Sequence, residues 1–346
     1  MFKIDGRKIG VEHPPYIVAE MSNNHLNNIE RAFKLVRLAK ESGADALKIQ
    51  TYTANSLTID CDKDDFVISD KLWDGRTYYD IYSEISMPLS WNRKIFDYAR
   101  EIGLTIFSSP FDESSVDLLE SLNTPAYKIA SFESKDFDFV KMIAKTKKPV
   151  IFSTGVSTID EVKDTIDILK TYGSEDIAVL HCISEYPTEI SDMNLNFILE
   201  LKKLGVEVGL SDHSLSLIPS TVAIAMGSTI IEKHYTINRS DGGADAKFSL
   251  EPSELLSLKK NSVDTWVSMG SSANLEQSRK GVQHARSLYF IKKLNAGDVI
   301  TKNCIKSIRP GFGLNPNLKS LVIGKKVSVT VSAGDRVSLD LIKDES

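Results

Sequence analysis

Short apolar runs recur along the chain and alternate with segments of helical periodicity. The runs are "YIVAE" (16–20), "ALKIQ" (46–50), "TIFSSP" (105–110), "AYKIAS" (126–131), "PVIFSTG" (149–155), "IAVLHC" (177–182), "VEVGLSD" (206–212) and "TIIEKHY" (229–235). Each is brief and rich in β-branched or aromatic residues, as buried strands are. Between them, "NIERAFKLVRLAKESG" puts Ala32, Leu35, Val36 and Ala39 on one helical face, with Gly43 where the chain should leave the helix. "SWNRKIFDYAREIG" and "STIDEVKDTIDILKTYG" read the same way, the second opened by a hydroxyl cap and an acidic first turn. Strand and helix alternating eight times predict an α/β chain folded as a parallel (β/α)8 TIM barrel. Ahead of it, "FKIDGRKIG" reads as a hairpin turning at Asp5-Gly6.

Two stretches depart from this rhythm. "TYTANSLTIDCDKDDFVISDKLWDGRTYYDIYSEISMPLSW" is too long for a simple strand-to-helix turn, and in a barrel such loops cover the reactive face. After the last helical segment, "SSANLEQSRKGVQHA" is polar and reads as a linker. From Arg286 onward, short alternating strands broken by "NAGD" and "SAGD" predict a small β-rich domain. The expected division is a catalytic barrel with its hairpin over 1–268, a linker over 269–284 and the β-rich domain over 285–346. The last is close to the lower size for folding alone, so it should lean on the barrel or on a second subunit.

Composition narrows the class. The 346 residues are 42% apolar and 26% charged, with a net charge of −5. A chain of that balance has no basic patch to hold a phosphate backbone, which argues against nucleic acid as a partner. Apolar runs such as "KKPVIFSTG" fall well short of the ~18 residues a spanning helix needs, and "MFKIDGRKIG" has no signal-peptide core, so no membrane association is expected. Cys61, Cys182 and Cys304 are scattered and odd in number, which suits a reducing, cytoplasmic setting.

The chemistry sits at the strand ends. In a barrel, reactive groups come from the C-terminal ends of the strands. Those ends carry Glu20, Lys48 and Gln50, Ser108 and Ser109, Lys128 and Ser131, Ser153 and Thr154, His181, Ser211 with Asp212 and His213, then Glu232, Lys233 and His234. His213 and His234 close neighbouring strands about 4.8 Å apart and are near enough to share one divalent ion, Mn2+, Mg2+ or Co2+ suiting two imidazoles with oxygen donors. A hydrogen-bonded pair of core histidines is the plainer reading. Asp212 and Glu232 stand near enough to orient the rings or to coordinate.

Lys48 and Lys128 lie in apolar strands, where an unpaired ammonium is costly. Ringed by Ser109, Ser131, Ser153 and Ser211, they make a cradle for a phosphorylated or carboxylated substrate. Alternatively each pairs with Glu20 or Glu133, and both readings can hold together. His25, in "MSNNHLNN", is placed either against substrate or on a surface loop. His181 reads as a satisfied rim residue, His13 and His284 as surface, and Cys182 as packed.

The motifs "AEMSNNH", "ADALKIQTY", "AYKIAS", "STG", "HCISEYPT", "VGLSDHS" and "IEKHYT", followed by "RPGFGL", resemble the sialic acid synthase family over nearly the whole chain. The resemblance implies a TIM barrel with a C-terminal antifreeze-like (SAF) domain, and condensation of phosphoenolpyruvate with an amino sugar. "KIQTYTANSLTID", "DKLWDGRTYYDIY" and "MPLSW" look most like the branch of that family that makes pseudaminic acid. It further implies His213 and His234 as metal ligands and Lys48, Lys128, Ser131, Ser153 and Ser211 around phosphoenolpyruvate. Glu20, Glu133 and Asp245 would surround the sugar, Glu20 or Glu133 activating water. Ser184 and Tyr186 of "HCISEYPT" would touch substrate, although Ser184 and Glu185 stand where neuraminate synthases usually have Asn and an apolar residue. Arg309 would reach a partner's barrel, which requires a domain-swapped homodimer. The competing readings are a neuraminate or legionaminate synthase with the same mechanism, a metal-dependent aldolase or epimerase, and a non-catalytic sugar-binding module.

Overall fold

The chain opens on an antiparallel hairpin, β1 (Lys3–Ile4) paired with β2 (Arg7–Lys8), which turns through Asp5 and Gly6 at φ of 51° and 78°. Positive φ at both central residues matches the twist of the flanking strands, and the expected Asp-Gly turn forms for that reason. Eight strands follow: β3 (Tyr16–Glu20), β4 (Ala46–Thr51), β5 (Thr105–Pro110), β6 (Tyr127–Ile129), β7 (Val150–Ser153), β8 (Ile177–Cys182), β9 (Glu207–Asp212) and β10 (Ile230–His234). All pair in parallel, and β10 pairs with β3 to close the barrel. This computed structural model describes residues 2–69, 74–270 and 280–343. It comprises two units, Met1–Met269 and Gly270–Ser346.

The helices form where the apolar spacing places them. Ile29–Glu41 buries Ala32, Leu35, Val36 and Ala39, with the Asn28 side chain accepting from the Arg31 N–H at its start. Ile159–Tyr172 starts on a reciprocal cap between Thr158 and Glu161 and stops at Gly173, whose φ of 118° a side chain would resist. The barrel has two ends of different character. Phe2, Ile4 and Ile9 of the hairpin join Tyr16, Val18, Ala46, Phe107, Ile151, Leu180 and Ile230 in one apolar cluster, which plugs the N-terminal end. The polar cavity therefore opens at the C-terminal ends of the strands.

Two expectations need correction. The segment after β4 is not a loop throughout, because it contains the helices Ala54–Leu57 and Tyr78–Ile85 before the barrel helix Leu89–Glu101. Its polar stretches masked a short apolar stripe that helical spacing brings together. The second unit is sparser in strand than its alternation suggested. It holds β11 (Ser287–Phe290) with β12 (Ile305–Ile308), and β13 (Lys326–Val327) with β14 (Ile342–Lys343), as two small sheets. Tight turns and isolated bridges supply the rest, around a core that includes Leu288, Phe290, Ile300, Ile305, Val327 and Val337. Most of the stretch read as a linker lies outside the described residues.

Candidate active site

Alternation along a strand decides which strand-end groups face the cavity. On β10, Glu232 and His234 turn inward and Lys233 turns away, while on β9 and just beyond it Ser211 and His213 turn inward and Asp212 turns away. Register puts Ser211 beside Glu232 and Asp212 beside Lys233. The inner cavity, about 240 Å3, is lined by Lys48, Lys128, Ser131, Glu133, Ser153, Tyr186, Ser211, His213, Glu232, His234 and Asp245, together with Ser22, Gln50 and Tyr52.

At its floor two ammonium groups meet two carboxylates. Lys48 Nζ lies 3.2 Å from Glu20 Oε2 and 3.1 Å from Glu232 Oε1, and Lys128 Nζ lies 3.8 Å from Glu232 Oε1. Lys128 also donates to Ser153 Oγ at 2.7 Å. All four charged groups are buried. Burial pushes the Glu232 carboxyl up, but Lys128 and Lys48 outweigh it and hold the group well below the usual carboxylate range. Glu20 is pushed up by burial, with Lys48 opposing. The Lys128 ammonium is pushed down by burial, which Glu232 only partly offsets. Glu133 is also raised by burial and keeps Oε2 without a hydrogen-bond partner. The carboxylate pairing expected of the lysines forms with Glu20 and with Glu232, the latter standing where Glu133 was expected.

The two histidines sit side by side, ring centroids 5.3 Å apart. His213 Nδ1 donates to the Ile183 carbonyl at 2.8 Å, which leaves Nε2 as the free lone pair. Burial and the neighbouring His234 hold His213 down to about 3, so it is neutral at any working pH. Tyr186 packs on His213 at 4.4 Å and Phe248 on His234 at 4.8 Å. His234 Nδ1 is buried without a hydrogen-bond partner, 3.4 Å from Asp245 Oδ2. Among the described residues no group of three or more His, Cys, Asp or Glu forms a metal cage. The two imidazoles could hold a cation only in an open site, with the remaining positions left to water and substrate.

Comparison with known proteins decides the lineage of this site. The model of the NeuB family matches residues 35–274. The chain belongs to the NeuB family. It is 42% identical over 324 residues to a pseudaminic acid synthase of Campylobacter jejuni subsp. jejuni serotype O:23/36 (strain 81-176), covering 92% of this chain and 94% of that protein. A pseudaminic acid synthase of Helicobacter pylori (strain ATCC 700392 / 26695) is 38% identical over 334 residues, covering 95% and 98%. Among solved structures, the spore coat polysaccharide biosynthesis protein spsE of Bacillus subtilis aligns over 100% of this chain and 99% of that chain, with a TM-score of 0.66 and 27% identity.

Within this NeuB-family barrel, most of the expected site residues line the inner cavity, and Glu20, Ser109, Ser184 and Arg309 do not. Glu20 is fully buried behind the lining, accepting from Gln50 Nε2 at 2.9 Å and facing Lys48. Ser109 is buried with its Oγ unpartnered and lines none of the cavities described. Ser184 lies at the outer rim, its Oγ 2.8 Å from Ser131 Oγ. Gly155 makes that approach possible, since a Cβ there would stand 2.1 Å from Ser131 Cβ. Arg309 is an exposed residue of the second unit.

Other histidines resolve cleanly. His25 is not a surface residue: it is 1% exposed, its Nδ1 accepts from the Asn27 N–H at 3.1 Å, and its ring meets Trp91 edge-on at 5.8 Å. It faces a side cavity of about 510 Å3 shared with Asn27, Glu84 and Lys247. His181 is buried rather than at the rim and only half satisfied: its Nε2 bonds to the Met193 carbonyl at 2.7 Å, while its Nδ1 has no hydrogen-bond partner. Asp212 does not orient the histidine rings; it is taken up by Lys233, Ser214 and Ser220. Residues that strand-end reading left out of the site are Ser22, Tyr52 and Phe111. All three follow a strand within two residues, so extending each strand end slightly would have found them.

Proposed function

We propose that this chain condenses phosphoenolpyruvate with 2,4-diacetamido-2,4,6-trideoxy-L-altrose to give pseudaminic acid and phosphate. The observation that carries the reading is the convergence of Lys48, Lys128, His213 and His234 on one cavity of a NeuB-family barrel, in a chain 38% to 42% identical to pseudaminic acid synthases.

The residues divide the work by chemistry. Lys48 and Lys128 neutralise the phosphate and carboxylate of phosphoenolpyruvate, with Ser131, Ser153 and Ser211 donating hydroxyl hydrogen bonds around them. Glu232 holds both ammonium groups in place, and Glu20 anchors Lys48 from behind the cavity wall. Asp245 and Tyr186 face the sugar. His213 and His234 would hold a divalent cation, Mn2+, Mg2+ or Co2+, which would polarise the aldehyde oxygen of the open-chain sugar. C3 of phosphoenolpyruvate attacks the aldehyde carbon, the aldehyde C=O π bond opens and its oxygen takes a proton from water to become a hydroxyl, and the electron deficiency passes to C2. Glu133, whose carboxyl is raised and faces the cavity, takes the proton of the water that adds at C2. The C2–O bond to phosphate then breaks, and the departing phosphate is stabilised by Lys48 and Lys128.

The same reading assigns the barrel, linker and β-rich segments to 1–268, 269–284 and 285–346, the last as an antifreeze-like (SAF) domain. It places Arg309 in a partner's barrel within a domain-swapped homodimer, contacting the acylamino group of the sugar. The same reading makes the chain a cytoplasmic enzyme; no described helix is long and apolar enough to cross a membrane.

The test is phosphate release from phosphoenolpyruvate with Mn2+, offering the altrose sugar, its mannose-configured counterpart and N-acetylmannosamine in parallel. Turnover of the altrose sugar alone, abolished by chelator, is the expected result. Preference for either mannose sugar would overturn the assignment of substrate, and no release with any sugar would overturn the reaction.

A further inference from the structure

Outside the charged floor lies a second chamber of about 740 Å3, continuous with the first through Tyr82, Ile85, Phe132 and Tyr186, which line both. Its character is different. The helix Tyr78–Ile85 carries Tyr78, Ile81, Tyr82 and Ile85 at the spacing that gathers side chains on one face, and all four line this chamber. Tyr82 stacks on Tyr78 and meets Tyr52 edge-on, each at 6.1 Å, so the stripe runs without a break from the rim toward the inner cavity. Across from it, Phe132 is 59% exposed.

A helix normally spends its apolar stripe on a core. Here the stripe faces an open chamber that leads to lysines and serines. Asn23, Ser184, Glu185 and Asp245 line the rest of the chamber and can pair with sugar hydroxyls, whereas the Ile81 and Ile85 side of the stripe offers a hydroxyl no partner for the water it would lose. That side gains from methyl groups.

Resting on the condensation reading above, we infer that the Tyr78–Ile85 stripe is the specificity wall of the enzyme. It receives the methyl groups of a 6-deoxy, N-acylated sugar and discriminates against the same sugar bearing a 6-hydroxyl. One group of that size in an apolar pocket changes kcat/KM by roughly 10- to 200-fold.

The experiment compares kcat/KM of the Mn2+-loaded enzyme for 2,4-diacetamido-2,4,6-trideoxy-L-altrose and for its 6-hydroxy analogue, with phosphoenolpyruvate saturating. Wild type should favour the deoxy sugar by at least ~10-fold. Ile85→Thr, β-branched like isoleucine but shorter and hydroxylated, should cut that ratio several-fold, chiefly through the deoxy sugar, and move KM for phosphoenolpyruvate much less. Tyr78→Ala, at an exposed position, should also reduce the ratio, and it serves as the second variant should Ile85→Thr fail to fold. A wild type indifferent to the 6-hydroxyl, or a ratio unchanged in the folded variants, overturns the wall while leaving the condensation in place. Absence of phosphate release with every sugar would instead fell the condensation and the wall together.

Discussion

Lys233 and Asp212 form an ion pair on the outer face of the strands whose inner faces carry His234 and Glu232, and Ser211. Their separation is 3.0 Å, with side chains 1% and 0% exposed. Every polar position of the pair is used. Asp212 accepts from the Ser214 N–H and Oγ and from Ser220 Oγ, and Lys233 donates to the Ser214 and Ser216 carbonyls. Three ionisable groups end β10 because they serve two faces, with Lys233 tying the loop after β9 to β10 from behind.

Removing one partner of such a pair leaves a buried charge uncompensated, at a cost of about 3–5 kcal/mol. Lys233→Met should therefore lower the urea midpoint sharply. Adding Asp212→Asn to it should recover part of the loss, because the orphaned charge disappears. Urea titrations of the three proteins check this, and a double variant no better than the single one would count against the pair as the cause.

His213→Ala should abolish phosphate release while far-ultraviolet circular dichroism stays native, since the ring faces the cavity and its loss leaves the Asp212 network whole. Mn2+ affinity measured by calorimetry should fall in parallel. Wild type treated with chelator should match the variant, and turnover retained by chelated wild type would remove the metal from the reaction.

Lys128 is the ammonium most directly committed to an anion, for its carboxylate partner Glu232 is shared with Lys48. Lys128→Met should raise KM for phosphoenolpyruvate at least ~10-fold, the loss of about 1.4 kcal/mol or more of charge-assisted binding. The KM for sugar should move much less. Steady-state kinetics with each substrate varied in turn separates these outcomes, and equal rises in both would show a general collapse of the site.

How much of this was legible beforehand follows from period and register. Eight apolar runs gave the barrel strands nearly to the residue, because fully buried parallel strands read as continuous hydrophobic runs bounded by turns. The inward reactive groups were legible for the same reason. Glu20 and Ser109 do not line the cavity, since knowing that a residue ends a strand does not say whether a neighbouring side chain, here Lys48 or Gln50, stands nearer the opening. The helix Tyr78–Ile85 was hidden by its polar flanks. His25 was left open between a substrate contact and a surface loop, because nothing local to "MSNNHLNN" announces Trp91, which lies far along the chain and supplies its cover.

His25 gives the pH prediction. Burial holds its imidazole down to about 4 against an ordinary value of 6.5. The folded state therefore resists a proton that the unfolded chain accepts readily below about pH 6.5. Between those values the unfolded state binds more protons, so stability rises with pH and is lost as pH falls. The whole effect amounts to about 3 kcal/mol, spread from about pH 6.5 down to about pH 4. His25→Gln, which cannot titrate, should flatten that part of the profile and leave the stability at pH 8 less changed than the slope. Urea unfolding of both proteins at intervals between pH 4 and pH 8 measures the difference directly. Parallel profiles, or a His25 imidazole seen by NMR to titrate near 6.5, would show that the proton reaches the ring in the folded state and that its burial against Trp91 carries no pH dependence.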